Sequence, residues 1–193
     1  MLSYEESLKI LKETKALIEG HFILSSGLHS SKYVQCAQLL SNPNKASVLC
    51  NSLAEKITET FKNFDLVLSP AMGGVIIGYE IGRILNKKTI FAERVEGKFE
   101  LRRNFSINKN EKVLIVEDVI TTGKSSLECS NLVKSLGAKI IGFACIIDRS
   151  AGKSLINEDF VSQVKLDIPT FTEKNLPKDL SKIKAIKPGS RNL

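Results

Sequence analysis

Four short apolar runs recur along the chain: Leu66-Val67-Leu68, Ile90-Phe91-Ala92, Val113-Leu114-Ile115-Val116 and the longer Ile140–Ile147. Each is apolar at consecutive positions, the pattern of a strand buried on both faces of a parallel sheet. They predict strands over 65–69, 89–93, 113–116 and 139–147, with a last strand near Val164–Ile168. Between them the pattern changes to helical spacing: Pro43 to about Phe61, Gly74–Leu85, and Ser125–Leu136, where Leu127, Leu132, Val133 and Leu136 share a face. At the start, Leu8, Leu11, Ala16, Leu17 and Ile18 among Lys and Glu predict an amphipathic helix that docks on the core. A β-hairpin is expected at about 21–37, and the charged, glycine-containing stretch 95–110 reads as a loop. Strands alternating with helices argue for an α/β fold, a central parallel sheet flanked by helices. The hairpin and the C-terminal segment would form a hood over the strand edges. No repeat, low-complexity tract or linker interrupts the pattern, so 1–193 reads as one domain with its hood from about 20–40.

The candidate chemistry sits where the apolar runs end. Glu117 and Asp118 follow the third strand and lead into Thr121-Thr122-Gly123-Lys124-Ser125-Ser126, which opens a helix. Amide N–H groups at a helix start bind phosphate, and paired acids suit sugar hydroxyls, so the unit fits a phosphorylated sugar. Gly123-Lys124-Ser125 also looks like the end of a Walker A loop. That loop needs a glycine five positions earlier, where this chain has Asp118, whose charge repels a triphosphate. The other alternative is that the two acids only cap the helix. A second strand-loop-helix unit, Ser69-Pro70-Ala71-Met72-Gly73-Gly74, lets backbone approach a phosphate closely.

Two further segments suit a small planar ligand. Ser26-Gly27 with Ser30 and Ser31 makes a polar turn, and Tyr33 offers a flat face, unless it is a core aromatic at a strand end. Arg149 ends the fourth run, at the strand edge where ligands of open parallel sheets collect. A guanidinium there can clamp a carboxylate with two parallel hydrogen bonds; the alternative is a surface ion pair with Asp148.

The stretch VLIVEDVITTGKS resembles the signature of the type I phosphoribosyltransferases, which bind phosphoribosyl pyrophosphate (PRPP). The resemblance implies that Glu117 and Asp118 hold the ribose hydroxyls. It also implies that Val119, Ile120, Thr121, Thr122, Gly123, Lys124 and Ser125 line the PRPP site, the last five as the 5-phosphate cradle. Three more segments are similar to the orotate phosphoribosyltransferases within that family: the Phe22–Tyr33 hairpin, the pyrophosphate loop with Met72, Gly73 and Gly74, and Glu93–Lys98 at the start of a mobile catalytic loop. A fourth, Ile146–Arg149, falls where those enzymes place an arginine on the orotate carboxylate. Together they span about 20–150 in the same order.

On that likeness the chain would transfer the phosphoribosyl group of PRPP to orotate, giving orotidine 5′-monophosphate and pyrophosphate in UMP biosynthesis. Thr121, Arg149, Ser26, Gly27 and Tyr33 would bind orotate. Arg94, Lys98 and Mg²⁺, held mainly by substrate, would neutralise the leaving pyrophosphate, with Lys98 and Asp118 as the catalytic pair. A homodimer is implied, because the loop lysine of the family reaches the neighbouring subunit. The chain departs from many members at Ser25 and Val95, where they carry lysines, and near Glu100, where they carry a histidine. Arg102 and Arg103 are available to replace some of that charge. A phosphoribosyltransferase for another base, such as a purine, and a PRPP-sensing regulator that binds nucleic acid are the competing readings.

Composition narrows these. The net charge is +7, and much of the excess lies from Lys174 to Arg191 around Leu180, Ile183 and Ile186, a solvated basic helix or tail. It lacks the arginine-rich or aromatic-interleaved stripe of a nucleic-acid binder, but would steer an anionic substrate inward. No apolar run approaches a membrane span, and the MLSYEE start lacks the cationic region of a secretory signal. Cys36, Cys50, Cys129 and Cys145 show no C-x-x-C spacing, which with two histidines gives no zinc pattern and suits free thiols in a reducing cytoplasm.

Overall fold

The computed structural model describes residues 1–24 and 26–188. Helix α1 (Tyr4–Glu13) starts at a reciprocal cap: the Ser3 hydroxyl accepts the Glu6 N–H, and the Glu6 carboxylate accepts the Ser3 N–H. It stops earlier than its apolar spacing suggests, because Lys15 takes a positive φ of 57°. Ala16, Leu17 and Ile18 therefore leave the helix, and the last two begin strand β1 (Leu17–Ile23). β1 pairs antiparallel with β2 (His29–Val34). A short helix α2 (Cys36–Leu40) that periodicity does not reveal precedes α3 (Pro43–Thr60), whose start is set by Asn42 as cap and by Pro43.

The remaining chain builds the main sheet: β3 (Leu66–Pro70), α4 (Gly74–Leu85), β4 (Lys88–Val95), β5 (Lys98–Leu101), β6 (Lys112–Ile120), α5 (Lys124–Ser135), β7 (Lys139–Asp148) and β8 (Phe160–Lys165). The strand order is β5-β4-β3-β6-β7-β8, all parallel except β5. Consecutive residues of each strand serve opposite faces. Leu114 and Val116 join α1, α3 and α4 in one core, while Val113 and Ile115 join α5 in the other. This is the expected α/β architecture, with corrections in detail. The stretch 95–110 is not all loop, since β5 folds back on β4 through the Glu96-Gly97 turn. β6 runs on through Glu117 and Asp118, and the last parallel strand lies earlier than 164–168.

A second sheet, β1-β2-β9 with β9 at Thr170–Phe171, carries the hood. The C-terminal stretch is neither a long helix nor a loose tail over the described residues. A single turn, α6 (Lys178–Ser181), buries Leu180, and Ile186 then bridges Phe22 of β1. Arg191 lies outside the described residues. The chain's two histidines join the pieces: His21 Nδ1 lies 2.8 Å from the Ile183 carbonyl and His21 Nε2 lies 2.7 Å from His29 Nδ1. Because a carbonyl only accepts, His21 Nδ1 donates to it. In the neutral ring Nε2 must then accept from His29.

Phe61 closes the end of α3 against β7 at Gly142, where a Cβ would meet the Phe61 ring at 2.2 Å and the Asp159 carbonyl at 2.8 Å. Gly142→Ala should therefore destabilise the fold by about 1–3 kcal/mol in chemical denaturation. An unchanged midpoint would contradict this packing.

Candidate functional site

β6 brings the two acids to the C-terminal end of the parallel strands. As neighbours in a strand, Glu117 and Asp118 face opposite sides of the sheet. Glu117 points to the α5 side, only 8% exposed, and its carboxyl is pushed up to about 7, chiefly by burial, with the Asp118 charge adding to it. Burial also raises Asp118 above its usual value, against the pull of the Val119 N–H that donates to its Oδ1 at 2.9 Å.

The loop after β3 lies directly over Asp118. A Cβ on Gly73 would stand 2.8 Å from Asp118 Oδ2, so any side chain there would displace the carboxylate. A Cβ on Gly74 would stand 3.1 Å from the Val116 carbonyl of β6. Met72 projects outward, 84% exposed, after a cis Ala71–Met72 peptide. The two strand-loop-helix units seen in the sequence thus meet at one carboxylate.

After β6 the chain turns through Thr121 and Thr122, both exposed, to Gly123 at φ +79°, which starts α5. Gly123 supplies no capping side chain, and the Thr122 hydroxyl accepts only the Lys124 N–H, at 3.3 Å. The first-turn N–H groups of α5 are suited to an anion. Lys124 is exposed and Ser125 half-buried on that turn, and Val119 is half-buried. Ile120 is buried in the α5-side core and offers only backbone to this end of the sheet.

Arg149 emerges from β7 half-buried with its Nε unpartnered, and burial holds its guanidinium below its usual value, with Tyr33 and Cys36 as ionisable neighbours. Asp148 is not its ion-pair partner: that carboxylate is buried and accepts the Ser150 N–H at 2.8 Å. Tyr33 is half-buried, its ring 5.7 Å from that of Phe22. Ser26 and Gly27 sit exposed at the hairpin tip, with Gly27 at φ +80°. Ser30 is completely buried and donates to the Lys32 carbonyl, so its hydroxyl serves its own strand, and Ser31 lines a groove with Phe171 and Leu180. Ser25 lies outside the described residues.

Arg94 and Lys98 lie on the β4–β5 hairpin. The Arg94 guanidinium pairs with Glu128 of α5, donates to the Gly97 carbonyl and covers the Phe99 ring at 4.2 Å. Lys98 is exposed beside a groove of about 320 Å³ lined by Glu128, Asn131 and Ser135. Arg103 pairs with Glu93 at 2.9 Å, Arg102 and Glu100 are exposed, and Val95 is half-buried. Sequence reasoning missed Glu128, since a single acid on a helix carries no signal of a partner on another element. It also missed Cys36, whose thiol donates to the Asp118 carbonyl at 3.8 Å.

A profile described as the phosphoribosyl transferase domain matches residues 36–177. The orotate phosphoribosyltransferase of Erythrobacter litoralis is 46% identical over 188 residues, covering 97% of this chain and 97% of that protein. The corresponding protein of Rhizorhabdus wittichii is 47% identical, covering 97% and 96%. The crystal structure of orotate phosphoribosyltransferase from Aeropyrum pernix superposes with a TM-score of 0.71 at 25% identity, covering 82% of this chain and 92% of that one.

The raised Glu117 has a consequence for stability. The carboxyl ordinarily ionises near 4.5, while the folded protein keeps its proton up to about 7. The folded state then binds more protons between those values, so this stabilising contribution is full below the lower one and lost as pH rises through the upper one. Glu117→Gln, which cannot ionise, should be more stable than the parent at about pH 8, with the advantage shrinking towards about pH 5. Urea midpoints at the two pH values check this; an advantage independent of pH would contradict it.

Proposed function

The chain belongs to the phosphoribosyl transferase family, and from that premise we propose that it transfers the phosphoribosyl group of PRPP to orotate. The products are orotidine 5′-monophosphate and pyrophosphate, the step that leads to UMP. The observation that carries the choice of base is Arg149: a half-buried guanidinium with an unpartnered Nε, beside Tyr33 and at the same sheet edge as Glu117 and Asp118. A planar carboxylated pyrimidine satisfies that guanidinium and stacks on that ring.

The residues divide the work as follows. Asp118 and Glu117 take the ribose hydroxyls, a protonated Glu117 donating as well as accepting. The turn Thr121–Ser125, with the backbone of Val119 and Ile120, seats the 5-phosphate. Met72, Gly73 and Gly74 present backbone to the pyrophosphate, close enough to Asp118 that sugar and leaving group lie side by side. Arg149 holds the orotate carboxylate, while Thr121, Ser26, Gly27 and Tyr33 border the ring.

In the reaction the bond from the anomeric carbon to the pyrophosphate oxygen breaks as a ring nitrogen of orotate bonds to that carbon. The sugar takes on oxocarbenium character, and negative charge grows on the leaving oxygen. Lys98 neutralises that charge, and Arg94 assists once it leaves Glu128. The same hairpin excludes water from the cation-like sugar. Mg²⁺ fits the donor set, since it takes hard oxygen ligands from one or two carboxylates together with substrate phosphates. Among the described residues no cluster of three or more His, Cys, Asp or Glu is arranged to hold a metal, and the substrate's own phosphate oxygens would supply most of the ion's ligands. When bound, the ion supplies further neutralisation of the pyrophosphate.

The working unit in this proposal is a homodimer. Lys98 lies by Asn131 and Ser135 of its own α5, which favours its acting in a neighbour's site. Met72, Ile76 and Tyr79, 84%, 55% and 65% exposed, form an apolar face at the start of α4 suited to a second copy. The proposed setting is the cytoplasm: all four cysteines are buried and unpaired, and among the described residues no helix is long and apolar enough to cross a membrane.

Mixing the protein with orotate, PRPP and Mg²⁺ should remove the orotate absorbance; turnover of a purine base instead would overturn the proposal. Arg149→Lys, which exchanges a fork for a point charge, should raise KM for orotate by about tenfold or more and leave PRPP affinity close to unchanged. Lys98→Ala should lower kcat far more than PRPP affinity. Dimers assembled from Lys98→Ala and Asp118→Asn chains should regain about a quarter of the parent activity, because half of them carry one intact site of two. No recovery on mixing would show that each chain uses its own Lys98.

A further inference from the structure

The loop from Arg149 to Ile156, between β7 and β8, touches the end of β6 and the phosphate turn after it at three places, the first of them continuing the β6–β7 ladder. The Arg149 N–H donates to the Ile120 carbonyl at 2.8 Å, and the Leu155 N–H donates to the Thr122 carbonyl at 2.9 Å. Below Gly123, the position of a Cβ is already filled: Ile156 Cγ1 would be 2.8 Å away, and Ser154 Oγ 3.0 Å. Gly123 needs its positive φ of 79° to turn into α5, and Ile156, only 7% exposed in the core, stands directly against that turn.

The two carbonyl contacts have a geometric effect on the opposite side. In a trans peptide the N–H of one residue points away from the carbonyl of the residue before it. Fastening the Ile120 and Thr122 carbonyls to the loop therefore aims the Thr121 and Gly123 N–H groups away from it, towards the open side of the turn. The loop is itself stiff enough to act as an anchor. The Ser150 N–H donates to the buried Asp148 carboxylate at 2.8 Å, the Lys153 N–H to the Ser150 carbonyl at 2.9 Å, and the Ile156 N–H to the Ser154 hydroxyl at 3.1 Å.

We propose that this loop is a positioning element, in which Ile156, acting through Gly123, and the Leu155 N–H, acting through Thr122, hold the turn in its phosphate-binding shape. Its first residue is Arg149, so one rigid segment sets both the phosphate seat and the base clamp. This rests on the reading of Thr121–Ser125 as the phosphate cradle. No side chain of Ser154, Leu155 or Ile156 need touch the reacting atoms.

The test compares Ile156→Ala, Ile156→Val and Ser154→Ala with the parent for PRPP affinity by calorimetry, kcat at saturating PRPP, and melting temperature. Ile156→Ala should weaken PRPP binding about tenfold or more while kcat changes less, since a small misplacement of a positioning group acts first on binding. Ile156→Val should restore most of the affinity. Ser154→Ala, which loses the contact to the Ile156 N–H without opening a large cavity, should shift PRPP affinity in the same direction and serves if Ile156→Ala does not fold. Variants that lose melting temperature but keep parental PRPP affinity would make Ile156 a core residue only and overturn the proposal. A parent that binds no PRPP would overturn the cradle assignment and the brace together, and is told apart by needing no variant.

Discussion

A strand buried on both faces has to emerge somewhere, and near its C-terminal end β6 carries two adjacent carboxylates that the sheet partly withholds from water. That placement is costly: burial raises both groups and keeps Glu117 protonated up to about 7. In the proposed function, ribose hydroxyls replace that lost water with hydrogen bonds. Much of the surrounding structure is subordinate to this pair. Gly73 is glycine because the Asp118 carboxylate occupies the space of a side chain, and the chain beyond β6 turns through Gly123 into an uncapped helix start. In the proposed complex, backbone from these two turns meets the phosphate and the leaving group of a sugar held by the acids.

The hairpin of β4 and β5 adds charge, but holds it in reserve. Arg94 is satisfied three ways by Glu128, the Gly97 carbonyl and the Phe99 ring. An exposed pair of this kind is worth little, about 1 kcal/mol or less, so it tethers the hairpin without fixing it. Multiply charged pyrophosphate competes well for such an arginine. The arrangement suits a segment that rests on α5 and closes when substrate arrives.

Most of the architecture was legible in the sequence because burial on both faces writes itself as unbroken apolar runs. Gly74–Leu85 falls at the helix bounds found, and 113–116 lies within β6. The errors fall where a single residue or a distant partner decides. Lys15 at positive φ ends α1 before Ala16-Leu17-Ile18, against their helical spacing. The pairing of β5 with β4 cannot be read from Lys98–Leu101, whose charges resemble a loop. The basic C-terminal stretch has helical periodicity, yet Ile186 leaves it to bridge β1 and the hood. At the candidate site, motif spacing pointed to the acids, both glycine turns and Arg149, which the fold places at the same end of the parallel strands. It gave no sign that Arg94 rests on Glu128 or that Ile156 lies under Gly123, because these contacts join elements distant along the chain.

The claim on which all of this depends is that Glu117 and Asp118 receive the ribose of PRPP while the start of α5 receives its 5-phosphate. Soaking crystals with PRPP and Mg²⁺ tests it directly. The account predicts density for the ribose hydroxyls at those two carboxylates, with the 5-phosphate over the Thr121–Ser125 turn and pyrophosphate against Gly73. Density elsewhere, with both acids turned into the protein interior, would contradict it.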